Sequence, residues 1–268
     1  MLISLHVIKK GTKIQMINNY THQKPSVTVE AKGKRRMKSL LITPLVILAL
    51  LAPLYAGADS DKGVAASQAG DYETLEKILK KAAEQGNASA QFNLGNMYRL
   101  GEAVIQDDEE AVTWFRLASE QGHASAQFNL GLMYRDGKGV LKDDKEAVKW
   151  YQLAAAQGTA GAQYNLGYMY RYGKGVLQDD KEAVKWYQLA AEQGIVEAQF
   201  NIGVMYANGE GVLRDDVYAW MWWDIATSEG HEKGKGYRDS LSKVMTPSQI
   251  AEAQKLAREC VAKDYKGC

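Results

Sequence analysis

Ala126-Gln127-Phe128-Asn129-Leu130-Gly131 is the stretch that decides the fold, because it returns at a fixed interval. It reads Ala90-Gln91-Phe92-Asn93-Leu94-Gly95 before it, and Ala162-Gln163-Tyr164-Asn165-Leu166-Gly167 and Ala198-Gln199-Phe200-Asn201-Ile202-Gly203 after it, always 36 residues apart. The copies at 124–159 and 160–195 differ at only seven of their 36 positions. Self-similarity at such a period marks a solenoid, in which a unit buries its apolar face only by stacking on its neighbours. The four units fall at 88–123, 124–159, 160–195 and 196–231.

Each unit reads as two helices. In the second, Ala126, Leu130, Gly131 and Tyr134 form one helical stripe from about Ala124 to Arg135. A glycine inside that stripe costs helix propensity, so Gly131 predicts close backbone contact with a partner helix. The glycine-rich loop Asp136 to Lys142 follows. A second helix is expected from Asp143 to about Gln157, with Asp143 and Glu146 in the spacing of a capping box. Asp107/Glu110 and Asp179/Glu182 repeat the pattern, whereas Asp215 is followed by Tyr218, so the box is expected to be lost there. Gly122, Gly158, Gly194 and Gly230 are expected helix stops.

The motif Ala-x-Ala-Gln-Phe/Tyr-Asn-Leu-Gly-x-Met-Tyr, then Gly-x-Gly-Val, Asp-x-x-x-Ala and Trp-Tyr/Phe-x-x-Ala, covers 88–231 and resembles the Sel1-like repeat (SLR) family, a relative of the tetratricopeptide repeat. The resemblance implies an all-α, α/α solenoid. It also implies a scaffold that mediates protein–protein contacts, with no cofactor and no chemistry of its own. Two departures stand out. Glu102-Ala103 replaces the Lys/Glu-Gly of later units, and Trp220-Met221 replaces Val followed by Thr or Lys, so the last second helix is expected to face something new.

The flanks read as caps. Residues 59–87 resemble a degenerate opening repeat with a shortened loop. After Gly230, a helix is expected near Tyr237–Val244. Thr246-Pro247-Ser248-Gln249 then opens a final helix to about Val261, with Thr at the N-cap, Pro at the first helical position and Gln at the third. That helix is expected to cover Trp220, Trp222 and Trp223. Such caps are needed because a terminal unit otherwise exposes half its apolar face.

Charge is segregated along the chain. Residues 1–58 hold nine Lys/Arg and one acid, Glu30, which leaves 59–268 near −7. Repulsion from phosphate makes nucleic acid an unsuitable partner and disfavours an anionic membrane surface. Met37-Lys38-Ser39, the apolar run 40–51 and Ala56-Gly57-Ala58 read as an export signal over 37–58, cleaved before Asp59. The run is shorter than the ~20 residues of a spanning helix and is interrupted by Pro44, so no stable anchor is expected after cleavage. Met37 is then the expected initiator, with 1–36 an upstream extension, and the chain is expected to be periplasmic or secreted. Export would put Cys260 and Cys268 in an oxidising compartment, where a disulfide is expected, against the alternative of two free thiols.

Most other motifs are structural. Trp114, Trp150 and Trp186 recur at the repeat period as core. The Asp-Asp pairs lack EF-hand spacing, Gly137-Lys138-Gly139 lacks the phosphate-loop pattern, and His123 and His231 have no partner at ligand spacing, so no metal site is expected. Ser240-Leu241-Ser242-Lys243 matches the Ser-x-x-Lys nucleophile motif, but no Lys-Thr-Gly element accompanies it. A weak penicillin-binding or β-lactamase-type hydrolase, as described for cysteine-rich SLR relatives, is therefore the alternative reading. In the tetratricopeptide class the first helices line a concave groove. The residues expected there are Asn93, Asn96, Arg99, Asn129, Arg135, Asn165, Tyr168, Arg171 and Asn201. Amides that donate and accept suit an extended peptide, and arginines suit its carboxylates. The asparagines could equally hold neighbouring helices together.

Overall fold

The computed structural model describes Gly63, residues 65–66, 68–102 and 104–268. The readings of 1–58 and the departure at Ala103 lie outside the described residues. Among the described residues the chain is all-helical, without strands. The helices are α1 (Tyr72–Glu84), α2 (Ala88–Leu100), α3 (Asp108–Glu120), α4 (Ala124–Asp136), α5 (Asp144–Ala156), α6 (Ala160–Tyr172), α7 (Asp180–Ala191), α8 (Val196–Asn208), α9 (Asp216–Ser228), α10 (Glu232–Ser242) and α11 (Pro247–Ala262). Each first helix (α2, α4, α6, α8) packs on its own second helix and on the second helix of the unit before, which is the connectivity of an α/α solenoid. Tyr72 lies one period before Asp108, so α1 is the second helix of the opening unit.

The helix ends follow from their capping residues. Asp107, Asp143, Asp179 and Asp215 each accept hydrogen bonds from two backbone N–H groups of the following turn. Their own N–H groups donate to Tyr98, Tyr134, Tyr170 and Tyr206 carbonyls at 3.0 Å, which fixes the loop identically in every unit. Asp215 caps as well as the others, so the cap survives Tyr218. No reciprocal bond from the third-position glutamate is found in the first three units either. Glu110 instead accepts from Trp114 Nε1 at 2.9 Å, while Glu146 and Glu182 accept from Lys149 and Lys185. Thr113 stands where those lysines stand, which leaves Glu110 available to the indole. A full capping box does form at Thr246 and Gln249, at the start of α11.

The contact foreseen for Gly131 recurs in all four units. A Cβ on Gly95, Gly131, Gly167 or Gly203 would lie 2.6–2.8 Å from the ring of Phe115, Tyr151, Tyr187 or Trp223 on the paired second helix. Trp114, Trp150 and Trp222 are buried, and Trp186 half-buried, each against the core of the preceding unit. They bring the units together, and burying a ring of this size is a large hydrophobic contribution.

A second stitch is polar. Gln91, Gln127, Gln163 and Gln199 are buried, and each Nε2 donates to the Ala83, Ser119, Ala155 or Ala191 carbonyl near the end of the previous second helix. In the first three, Oε1 accepts from Gln121, Gln157 or Gln193 at 2.7–2.8 Å. The next position in the series is Glu229, a carboxylate that cannot donate, and Gln199 Oε1 is left buried without a partner.

The C-terminal cap departs from expectation in two ways. α10 begins at Glu232, five residues before Tyr237, because the His231 ring caps it: Nδ1 accepts from Gly234 N–H at 3.2 Å. Gly234 and Gly236 lower helix propensity there and conceal the start. Trp220 packs with Met245, Ala253 and Ile250, and Trp222 with Ala257 and Cys260, so α11 covers these two. Trp223 is covered instead by Tyr237 of α10, at a ring separation of 5.2 Å. Cys260 and Cys268 are joined by a disulfide, with their Cα atoms 5.6 Å apart. Tyr265, inside the closed loop, donates its hydroxyl to Glu229 at 2.8 Å.

Candidate functional site

The first helices carry the predicted polar positions, and none of the nine is fully exposed. Asn93 and Asn165 are buried, whereas Asn96, Asn129 and Asn201 are half-buried. Asn165 accepts from Arg135 Nη1 of the preceding unit at 3.3 Å. Asn201 faces the Tyr164 hydroxyl, which burial pushes above its usual range. Part of the asparagine series therefore spans neighbouring units, as the alternative reading of these residues required. Asn96 accepts from Arg99 Nη2 at 3.2 Å, within one helix.

Arg99, Arg135 and Arg171 occupy the last turns of α2, α4 and α6. A cation near a helix C-terminus complements the helix dipole. Their other partners differ. Arg135 is forked onto Asp136, whose carboxyl it holds below the usual carboxylate range. Arg171 reaches into the next unit and pairs with Glu210 at 2.9 Å, with only 13% of its side chain exposed. Tyr187, fully buried, lies in the field of Arg171; its burial drives its hydroxyl well upward.

Around Arg171 the third unit is unlike the others. Tyr168 and Tyr172 pack at 4.7 Å, and Tyr172 is half exposed. Gly173 takes a left-handed conformation (φ 61°) that turns the chain back. Lys174 then places its Nζ 2.9 Å from the Tyr168 hydroxyl and 4.8 Å from the ring centre. Sequence reasoning chose Tyr168 and Arg171 but missed Tyr172, Lys174 and Glu210, which sit in or beside loops. The signal available was the absence of any acid between 160 and 175. Charge is sorted by helix: the second-helix stretches 107–120, 142–157, 178–193 and 214–229 hold sixteen acids and seven bases. The first-helix stretches 88–102, 124–139, 160–175 and 196–211 hold four acids and five bases.

Three other features are less suited to a ligand. A cleft of about 580 Å³ opens between α9, α10 and α11 beside Trp220, but its Arg238 is taken by Asp224 and Asp239 at 2.8 and 2.9 Å. Ser240 and Lys243 are both exposed at the end of α10. A serine nucleophile needs its base at hydrogen-bond distance in a sheltered site, and this position offers no shelter. His123 and His231 act as helix caps and stack on Phe92 and Phe200 at 4.7 and 4.2 Å.

Known proteins fit this architecture. The chain is similar to a Sel1 repeat protein from Oxalobacter formigenes, with 33% identity, 76% of this chain and 83% of that one covered, and a TM-score of 0.64. It is also similar to a protective antigen of uropathogenic Escherichia coli strains that displays an SLR fold, with 31% identity, 72% of this chain and 50% of that one covered, and a TM-score of 0.50. A comparison with curated proteins finds no match. Sel1 repeats match at 77–87, 88–123, 124–159, 160–195 and 196–231, more than half of the sequence, and the chain is thus a member of the Sel1 repeat family.

Proposed function

We propose that the chain is an exported scaffold that binds a protein or peptide along the concave side formed by its first helices. Sel1 repeat proteins generally serve as protein-interaction scaffolds. The observation that carries the reading further is the sorting of residues on those helices. Ala, Leu, Gly and Gln are spent on packing and stitching. Asn96, Asn129 and Tyr168, half-buried, and Tyr172, half exposed, lie on the remaining side and can donate and accept. The signal-like segment at 37–58 and the Cys260–Cys268 bond support an oxidising compartment outside the cytoplasm.

The test is capture from an envelope extract with the full chain as bait, comparing it with the Asn96→Ala/Asn129→Ala variant. These two residues are chosen because Asn165 bridges two units through Arg135, whereas Asn96 bonds only within its own helix. Selective loss of a reproducible partner is expected. Identical recovery would remove the first-helix side from consideration. Fractionation of cells expressing the chain tests export: retention of the full-length chain in the cytoplasm would refute it.

A further inference from the structure

We propose that the third unit carries a carboxylate receptor, made by the Lys174 ammonium and the Tyr168 hydroxyl, that anchors an acidic segment of the partner. This rests on the scaffold reading and names the chemistry of the chain it binds. Lys174 Nζ donates one N–H to Tyr168 Oη at 2.9 Å. That bond uses the oxygen as acceptor, so the phenolic O–H remains a donor, and the ammonium keeps two further N–H groups. Two donors this close can each bond one oxygen of a single carboxylate, the charge-assisted geometry that gives both strength and direction. The half-exposed Tyr172 ring, packed on Tyr168, offers an apolar platform beside it with little conformational freedom to lose.

Charge complementarity selects an acidic partner. Residues 160–175 hold no acid, and with Arg171 paired to Glu210 their remaining cation is the exposed Lys174. Glu210 of the next unit is bonded by Arg171 and by Asn208, which accounts for its charge without Lys174. Only this unit combines the two donors. Asn96, Leu132 and Val204 stand at the Tyr168 position, and Glu102, Lys138 and Glu210 at the Lys174 position. The second unit thus has the lysine without the hydroxyl, and the first and fourth have neither.

The experiment measures anisotropy of fluorescein-labelled hexaglutamate, with hexaglutamine as comparator, against the full chain at low ionic strength. Lys174→Met keeps the stem and removes the charge; Tyr168→Phe keeps the ring and removes the hydroxyl. Each is expected to weaken hexaglutamate binding at least fivefold, while Lys181→Met, an exposed lysine at the start of α7, changes it less than twofold. The inference is overturned if hexaglutamate binds no tighter than hexaglutamine, or if Lys181→Met costs as much as Lys174→Met. Both substitutions lie at or near the surface, and circular dichroism checks that helix content is retained. Partner capture separates this idea from the scaffold reading. Loss with the Asn96/Asn129 variant but not with Lys174→Met would leave the scaffold and remove the carboxylate receptor. Normal hexaglutamate behaviour with capture indifferent to the asparagines would do the reverse.

Discussion

Glu229→Gln should stabilise this protein, and the reason lies in the interrupted glutamine stitch. Three units close it with a glutamine amide, from Gln121, Gln157 and Gln193, donating to the buried Gln of the same unit's first helix. In the fourth, Glu229 leaves Gln199 Oε1 buried and unpartnered. A glutamine there supplies the missing N–H while its own oxygen can still accept from Tyr265, which now bonds Glu229 at 2.8 Å. A net hydrogen bond is worth about 0.5–1.5 kcal/mol. Removing a negative charge from the C-cap of α9 adds about 0.3–1 kcal/mol by relieving the helix dipole. The sum is about 0.8–2.5 kcal/mol, and each kcal/mol shifts the melting temperature of a domain of this size by about 2–4 °C. Urea and thermal unfolding would be followed by circular dichroism in a double-mutant cycle with Gln199→Leu. In that background the acceptor is gone, and only the dipole part, under about 1 kcal/mol, should persist. An equal gain in both backgrounds, or none in either, would refute the stitch.

Further outcomes follow from the same structure. Gly131→Ala should destabilise by about 1–3 kcal/mol, because the new Cβ meets the buried Tyr151 ring at 2.6 Å, whereas Gly236→Ala, whose Cβ meets nothing, should stabilise by up to about 1 kcal/mol; unfolding of the two variants checks the opposite signs. His123 and His231 both have lowered pKa values, chiefly through burial, so the folded state prefers them neutral. Stability from these groups is complete above the unfolded value near 6.5 and is lost as pH falls below it toward the folded values; His231→Asn, which keeps a cap, should flatten part of that slope in a melting-temperature series from pH 8 to 5. Reducing Cys260–Cys268, or replacing both with Ser, should cost roughly 2.5 kcal/mol by freeing a short loop in the unfolded chain, read as a lower unfolding midpoint.

The repeat was fully legible because each of its signals is local. Gly131 announced a close helix contact, and the stripe Ala126, Leu130, Gly131, Tyr134 gave the helix that is observed. α11 was equally plain, since Thr246, Pro247 and Gln249 spell out its first turn. The start of α10 was hidden, because a histidine cap has no distinctive spacing and the glycines after it argue against a helix. The candidate site was half legible. Tyr168 and Arg171 share a helix side that periodicity reveals, but Lys174 reaches Tyr168 only through the left-handed turn at Gly173.

What the sequence determined by itself is the repeat: its period, its helix pairs, its caps and the residues that must be small. These follow from propensity, periodicity and self-similarity, which act over a few residues or recur at one fixed interval. Only the tertiary structure decided which polar residues are spent between units. Gln91 and Asn96 are both amides on one helix, yet the first is buried against a carbonyl of the opening unit and the second stays half-buried, bonded only within its own helix. Arg171 and Glu210 meet across 39 residues because stacking brings a helix end against the next unit's loop. That distinction depends on which neighbours stacking supplies, and one residue's spacing along its own helix does not carry it.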